Sequence, residues 1–285
     1  MSTQPLGNDR QSTRGSESLS RTHANAGPLR RLARGLAVAA IAALTASAAL
    51  AQEFPSRSIR LIVPFTPGAG TDTTARILAE KLSVSLGQPV VVENRGGASG
   101  SIGTDAGAKA AADGYTWTYA TDPPFTINPH LRKLSFDPLK DFVPVSLVAK
   151  VPLVLVANPA LAASTIAELV ALAKQTPGKL KVIAVAARDR VPSLREVPTV
   201  AEAGYQDFEI GAFHGLVMPA GTPRAIVRKV NDAVTKALQQ PDVAARFEAL
   251  GFVTVGGAPE LLDQLLRSDS DRWAKLIRAA HIQAD

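Results

Sequence analysis

Two glycine-rich stretches hold the residues of this chain whose types and spacing fit a chemical task. The first, Phe65-Thr66-Pro67-Gly68-Ala69-Gly70-Thr71-Asp72, follows the apolar run Leu61-Ile62-Val63 and leads into a helical pattern through Ala75, Ile77 and Leu78. The second, Gly96-Gly97-Ala98-Ser99-Gly100-Ser101, follows Val90-Val91-Val92 in the same way. A strand that stops at a glycine turn and opens a helix leaves backbone N–H groups without acceptors, at the positive end of the helix dipole. The chemistry this fits is capture of a small anion by main-chain donors. Asp72 falls in the first helical turn, where a carboxylate either serves as a general base or simply offsets the dipole.

Other chemistries find little support. Gly68-Ala69-Gly70 lacks the third glycine of a dinucleotide fingerprint. No G-x-S-x-G elbow is present. The chain has no cysteine, which excludes disulfides, thiolate metal sites and thiol nucleophiles. Beyond residue 51 only His130, His214 and His281 remain, and none has a partner at metal-ligand spacing. With no nucleophile–base pair to name, the expectation is no catalytic residue, no metal and no cofactor.

The elements that must position the two glycine stretches follow from periodicity. Ser58–Phe65, Val90–Glu93 and Tyr115–Ala120 read as strands, alternating with helices from Thr71 or Asp72 to Leu86 and from Ser101 to Ala112. Such alternation argues for an α/β fold with a doubly wound, mostly parallel sheet. Thr121–Asn128 reads as a loop, and Phe142–Leu147, Leu153–Ala157, Lys181–Ala186 and Glu209–Met218 as further extended segments. Thr165-Ile166-Ala167-Glu168 and Thr199-Val200-Ala201-Glu202 both have capping-box spacing. Three C-terminal helices are expected: from Thr222-Pro223, from Pro241 to Leu250, and from Pro259 to Ala280.

The formal charge of +6 is concentrated early: residues 1–51 hold six arginines against Asp9 and Glu17, a balance of +4, which leaves +2 for the rest. No basic stripe supports nucleic-acid binding. Arg30, Arg31 and Arg34 precede an apolar run from Leu36 to Ala49, and Ala49-Leu50-Ala51 has the small-x-small form of a cleavage site. Residues 1–51 therefore read as a secretory signal peptide cleaved after Ala51, and the run is shorter than the roughly 20 residues that span a bilayer.

Several motifs together resemble the periplasmic receptors of tripartite tricarboxylate transporters, the Bug family. They are Pro64-Phe65 with Gly68 to Asp72, Val92-Glu93-Asn94-Arg95 with Gly97 to Gly103, Asp113-Gly114-Tyr115, and Asn128-Pro129. Val197-Pro198-Thr199-Val200-Ala201-Glu202-Ala203-Gly204, Gly215-Leu216 and Pro219-Ala220-Gly221-Thr222-Pro223 complete the set. The resemblance implies a type II-like, two-lobed periplasmic binding protein that closes over a small carboxylate. It implies a monomer working with the membrane components of a tripartite transporter or with a sensor. It places ligand contacts on Phe65, Gly68, Ala69, Gly70, Thr71 and Asp72, and on Asp122 and Phe213, with Asp72 facing an ammonium or hydroxyl of the ligand. Phe65 either lines that site or only packs its loop.

The chain departs from the family pattern at four places. Ala69 replaces a usual glycine, Thr121-Asp122-Pro123-Pro124 replaces a Thr-x-Gly-Thr type loop, and Phe213 stands where Trp is common. After Pro177-Gly178-Lys179-Leu180 the chain runs straight into Lys181-Val182. There the family continues for about 60 residues of lobe two, well beyond ordinary loop variation. The expected organisation is therefore signal peptide 1–51, lobe one 52–150, a truncated remnant of lobe two 151–180, and a return to lobe one with C-terminal helices over 181–285.

Overall fold

A computed structural model of the chain describes residues 54–154, 161, 163, 165–175, 186, 190, 198–204 and 211–283. The chain divides into two units, Met1–Gln52 and Glu53–Asp285, and all described residues belong to the second. The expected signal peptide, the segment 155–157, and the strand and join at 180–185 lie outside the described residues.

The first half alternates as its periodicity demands. Strand β1 (Ile59–Val63) leads to helix α1 (Gly70–Leu86), β2 (Val90–Asn94), α2 (Ser101–Ala108) and β3 (Thr116–Thr121). Gly87 ends α1 in the left-handed conformation that a Cβ disfavours. Thr121–Asn128, expected as a loop, is instead a π-helical turn over Pro123–Ile127 that runs into a short helix α3 (Asn128–Leu131). Pro123 and Pro124 fit there because the first helical N–H groups have no acceptor to lose. A single long strand β4 (Phe142–Pro152) replaces the shorter segment expected from Phe142.

Past β4 come α4 (Ile166–Gln175), β5 (Gly211–Pro219), α5 (Arg224–Leu238), α6 (Pro241–Ala249), the short β6 (Val253–Thr254) and α7 (Pro259–Ala279). Both capping boxes form. Thr165 and Glu168 exchange N–H donation at 3.3 and 3.2 Å, and Thr199 and Glu202 do so at 3.0 and 3.1 Å.

The sheet order is β2-β1-β3-β5-β4-β6. β2, β1 and β3 are parallel, whereas β5 pairs antiparallel with both β3 and β4, and β4 antiparallel with β6. The sheet is thus mixed: β4 runs in the same direction as β1, β2 and β3, whereas β5 and β6 enter from the opposite end. Helices cover both faces. Trp117 and Tyr119 of β3 join Leu61, Leu78, Leu82, Val230, Val234 and Phe247 in one core. On the other face Ala120, Phe125, Phe142, Phe213, Val217 and Leu262 form a second.

Helix α2 lies flush on β3 because Gly107 offers no side chain. A Cβ there would fall on the Thr118 hydroxyl, far inside contact distance. Gly107→Ala is therefore expected to cost about 1–3 kcal/mol by overpacking. The readout is a lower urea midpoint at unchanged slope; an unmoved midpoint would mean that α2 does not seat on β3 this closely.

Candidate ligand-binding site

Parallel strands end at one edge of the sheet, and α/β proteins bind ligands in the crevice outside that edge. Here three loops meet there. The Phe65 ring, after β1, and the Pro124 ring, after β3, both lie about van der Waals distance from where a Gly100 side chain would project, 3.4 and 3.3 Å away. β4 ends and β5 begins at the same edge, since Pro152 pairs with Gly211 and His214 with Thr121. The chain between β4 and β5 thus leaves and rejoins the sheet beside the glycine loops.

In the first loop, the N–H groups of Ala69, Gly70, Thr71 and Asp72 have no acceptor among the described residues. Ala69 adopts an extended conformation as the helix N-cap (φ −68°, ψ 160°), which a Cβ tolerates, so its substitution for glycine leaves the turn intact. Gly68 differs from its neighbours, because its N–H donates to Asp72 Oδ2 at 2.9 Å. Asp72 is buried and also accepts from Arg76 Nε at 3.0 Å and Asn94 Nδ2 at 2.8 Å. Burial alone would raise its pKa; the Arg76, Gly68 and Asn94 hydrogen bonds outweigh that and hold it below the usual carboxylate value. Asp72 thus holds the loop closed on itself. Its carboxylate is spent on three donors of the protein and does not face outward to a ligand ammonium or hydroxyl.

The second loop is strained. Gly97, Ala98, Ser99 and Gly100 all have positive φ, at 122°, 47°, 51° and 86°. For Ala98 and Ser99 this conformation costs on the order of 1 kcal/mol or more each. Buried Asn128 holds it in place, donating to Ser99 O at 3.3 Å and to Ser101 Oγ at 2.9 Å. The exposed Ala98 and Ser99 N–H groups have no acceptor among the described residues.

Two expected contacts lie elsewhere. Phe213 is fully buried in the second core, so its ring packs against protein rather than lining a cleft. Asp122 is buried and accepts from Phe213 N–H at 3.0 Å, tying the end of β3 to β5. Burial pushes its pKa up to about 7; the Phe213 N–H and Arg272 oppose this, and Asp269 adds to it. Phe65 is half-buried where the three loops meet.

The structure adds residues the sequence reading did not assign to the site. His214 is buried on the α1 side of the sheet, with Nδ1 3.0 Å from Thr74 Oγ1 and Nε2 3.3 Å from Thr71 Oγ1. Burial lowers its pKa to about 4, so the ring is neutral at physiological pH. Tyr119 donates to Thr74 Oγ1 at 3.2 Å. A lone histidine carries no spacing signal, so His214 was not recoverable from sequence. Asn94 and Asn128 were visible only as parts of motifs.

The residues match a family model described as "Tripartite tricarboxylate transporter family receptor" over 74–182 and again over 176–282. The two matches share residues 176–182. A relative in Pseudomonas sp. (strain P51), the "UPF0065 protein in tcbD-tcbE intergenic region", is 33% identical over 325 aligned residues, covering 90% of this chain and 96% of the relative. That alignment exceeds the chain's 285 residues by 325 − 285 = 40, so at least 40 positions of the relative have no counterpart here. Two solved structures are similar. R. palustris Rpa4515 with adipate has a TM-score of 0.71 and 28% identity, covering 81% of this chain and 99% of that one. MatC from Rhodopseudomonas palustris with bound malate has a TM-score of 0.69 and 28% identity, covering 79% and 100%.

Proposed function

This chain belongs to the tripartite tricarboxylate transporter receptor family, and we propose that it is an extracytoplasmic solute-binding receptor that captures a small carboxylate for a membrane transporter. One observation carries the reading: acceptor-free N–H groups of Ala69–Asp72 and of Ala98–Ser99 gather at the edge where β1, β2 and β3 end. Main-chain donors at a helix start match a carboxylate in charge and geometry. The adipate and malate held by the two similar proteins are ligands of that class. Working outside the cytoplasm accords with the leader pattern of residues 1–51. Among the described residues no helix is long and apolar enough to cross a membrane. The family's members are receptors, and we assign no catalytic residue.

We further propose that lobe two is shortened by an internal deletion joined near residues 176–182. The two overlapping family matches, together with an alignment longer than the chain, support it. A buried polar ligand needs donors from both sides. With one side reduced, affinity is expected near 1 mM, which is about 4 kcal/mol of binding. Titration of exported protein with C4 to C6 dicarboxylates, followed by NMR line shifts, checks this. Dissociation constants of micromolar or below would overturn the shortened-lobe reading, and no shift with any acid would overturn the receptor reading. The same shortening favours a second role, a ligand sensor or an inert paralogue. Binding with no transporter requirement in the cell would select the sensor.

A further inference from the structure

Gly68 and Gly70 are glycines for different reasons. Gly68 has φ 84° and open space where a side chain would project, so its need is conformational. Gly70 opens α1, and its need is spatial: a Cβ there would lie 3.0 Å from Phe252 Cζ and 3.5 Å from Cε2. The tip of the Phe252 ring thus rests on a residue whose N–H, like those of Thr71 and Asp72, has no acceptor among the described residues. That ring has little room to move. Helix α6 ends in a Schellman motif, in which Gly251 (φ 81°) donates its N–H to Glu248 O at 2.8 Å and Phe252 donates to Phe247 O at 3.0 Å. The Phe247 ring meets Phe252 edge-on, with centroids 6.4 Å apart, the apolar contact that accompanies this motif. The His214 ring also lies against Phe252, at 5.0 Å between centroids. Directly after Phe252, Val253 and Thr254 pair with β4.

We propose that Phe252 is a positioning residue for the ligand site: seated on Gly70, its ring sets the first turn of α1 and so the direction of the donor amides of Ala69–Asp72. Amides at a helix start hold a carboxylate only when they point at its oxygens together, and a misdirected N–H forfeits its hydrogen bond. Asp72 closes this turn from within, by accepting from Gly68, and Phe252 braces it from without. A methyl group added at residue 70 would therefore displace the turn rather than the braced ring. A shorter side chain at residue 252 would make room for that methyl group. This inference rests on the proposed carboxylate site, and it adds the contact that holds the donors of that site in register.

The test is a size swap on protein exported from its full-length sequence: Gly70→Ala, Phe252→Leu and the two combined. Gly70 is not among the glycines of positive φ, so alanine fits its backbone and the variant folds. Two quantities are read by NMR: the dissociation constant of succinate, and the pKa of the Asp72 carboxyl, which reports closure of the turn without any ligand. Gly70→Ala is expected to weaken succinate about fivefold, the value of one net hydrogen bond. It should also raise the Asp72 pKa toward the ordinary value near 3.9, as the Gly68 N–H draws away. Phe252→Leu should move both quantities the same way by less, and the combined variant should return both to wild type. A ring that merely fills space would lower the unfolding midpoint and leave both quantities alone. Either quantity unmoved in Gly70→Ala, or no recovery in the combined variant, would overturn this inference and leave the receptor reading standing. Binding of no C4 to C6 dicarboxylate by wild type would overturn both.

Discussion

Asp72→Ala is expected to lower the stability of the protein by about 3 kcal/mol, because it removes one buried carboxylate that satisfies three donors at once. Gly68 N–H and Asn94 Nδ2 lose their shared acceptor, and Arg76 loses its (i, i+4) partner. For a domain of this size the loss corresponds to a fall in melting temperature of roughly 10 °C. Asp72→Asn keeps the shape and one acceptor oxygen, so its cost should be about half as large. The pH dependence has a definite sign. The folded pKa of Asp72 is depressed, so its contribution is fully present above the unfolded value near 3.9. It is lost as pH falls through the lower folded value. The gap between wild type and Asp72→Ala should therefore be constant at neutral pH and close in acid. A loss below about 0.5 kcal/mol at pH 7 would show that water replaces Asp72 at no cost, contrary to its burial.

The same loop links stability to function. If Asp72 only shapes the turn, Asp72→Asn should retain carboxylate binding wherever it folds, since the donors belong to Ala69–Asp72 amides and not to the carboxylate. Complete loss of binding in a folded Asp72→Asn protein would return Asp72 to direct contact with the ligand.

Asp122→Asn is expected to act in the opposite direction and only at higher pH. The folded pKa of Asp122, near 7, lies above an unfolded value near 3.9. The folded state then holds a proton that the unfolded chain releases between these values. Stability contributed by this group is therefore greatest below about pH 4, and falls through the window from 4 to 7. The full span is of order 4 kcal/mol, from three pKa units at 1.36 kcal/mol each. Asparagine mimics the neutral acid and still accepts from Phe213 N–H. The variant should match wild type near pH 4 and exceed it by a few kcal/mol at pH 8, as measured by urea unfolding at both. A variant less stable than wild type at pH 8 would mean that the ionised carboxylate is stabilised, with Arg272 prevailing over burial and Asp269.

These expectations separate what could be read in one dimension from what could not. The two glycine turns, the stop of α1 at Gly87 and both capping boxes were legible, because each depends on residues within about four positions of one another, whereas α1 is capped at Ala69 and not at Thr71 or Asp72 as expected. The doubly wound character of the first half followed from alternation of period-2 and period-3.6 patterns. The π-helical turn after β3 was missed, since two prolines in sequence announce a break and not the coil that follows them. The antiparallel entry of β5 was likewise hidden, because strand direction depends on how the intervening chain crosses the sheet.

Within the site, local sequence determined where main-chain donors are left over: proline, glycine and helix starts act on their immediate neighbours, so the amides of Gly68–Asp72 could be named from it, although that of Gly68 is taken up by Asp72. Tertiary structure alone decided which side chains serve them. Asp72, which takes the Gly68 N–H directly, is held on its other oxygen by Asn94, 22 residues away. Phe213 turns into the core and His214, its neighbour, toward Thr71, 143 residues away. Alternation along a strand sends adjacent residues to opposite faces. Which face meets the first turn of α1 is set by the pairing of β5 with β3 and β4, a contact between segments that share no local pattern.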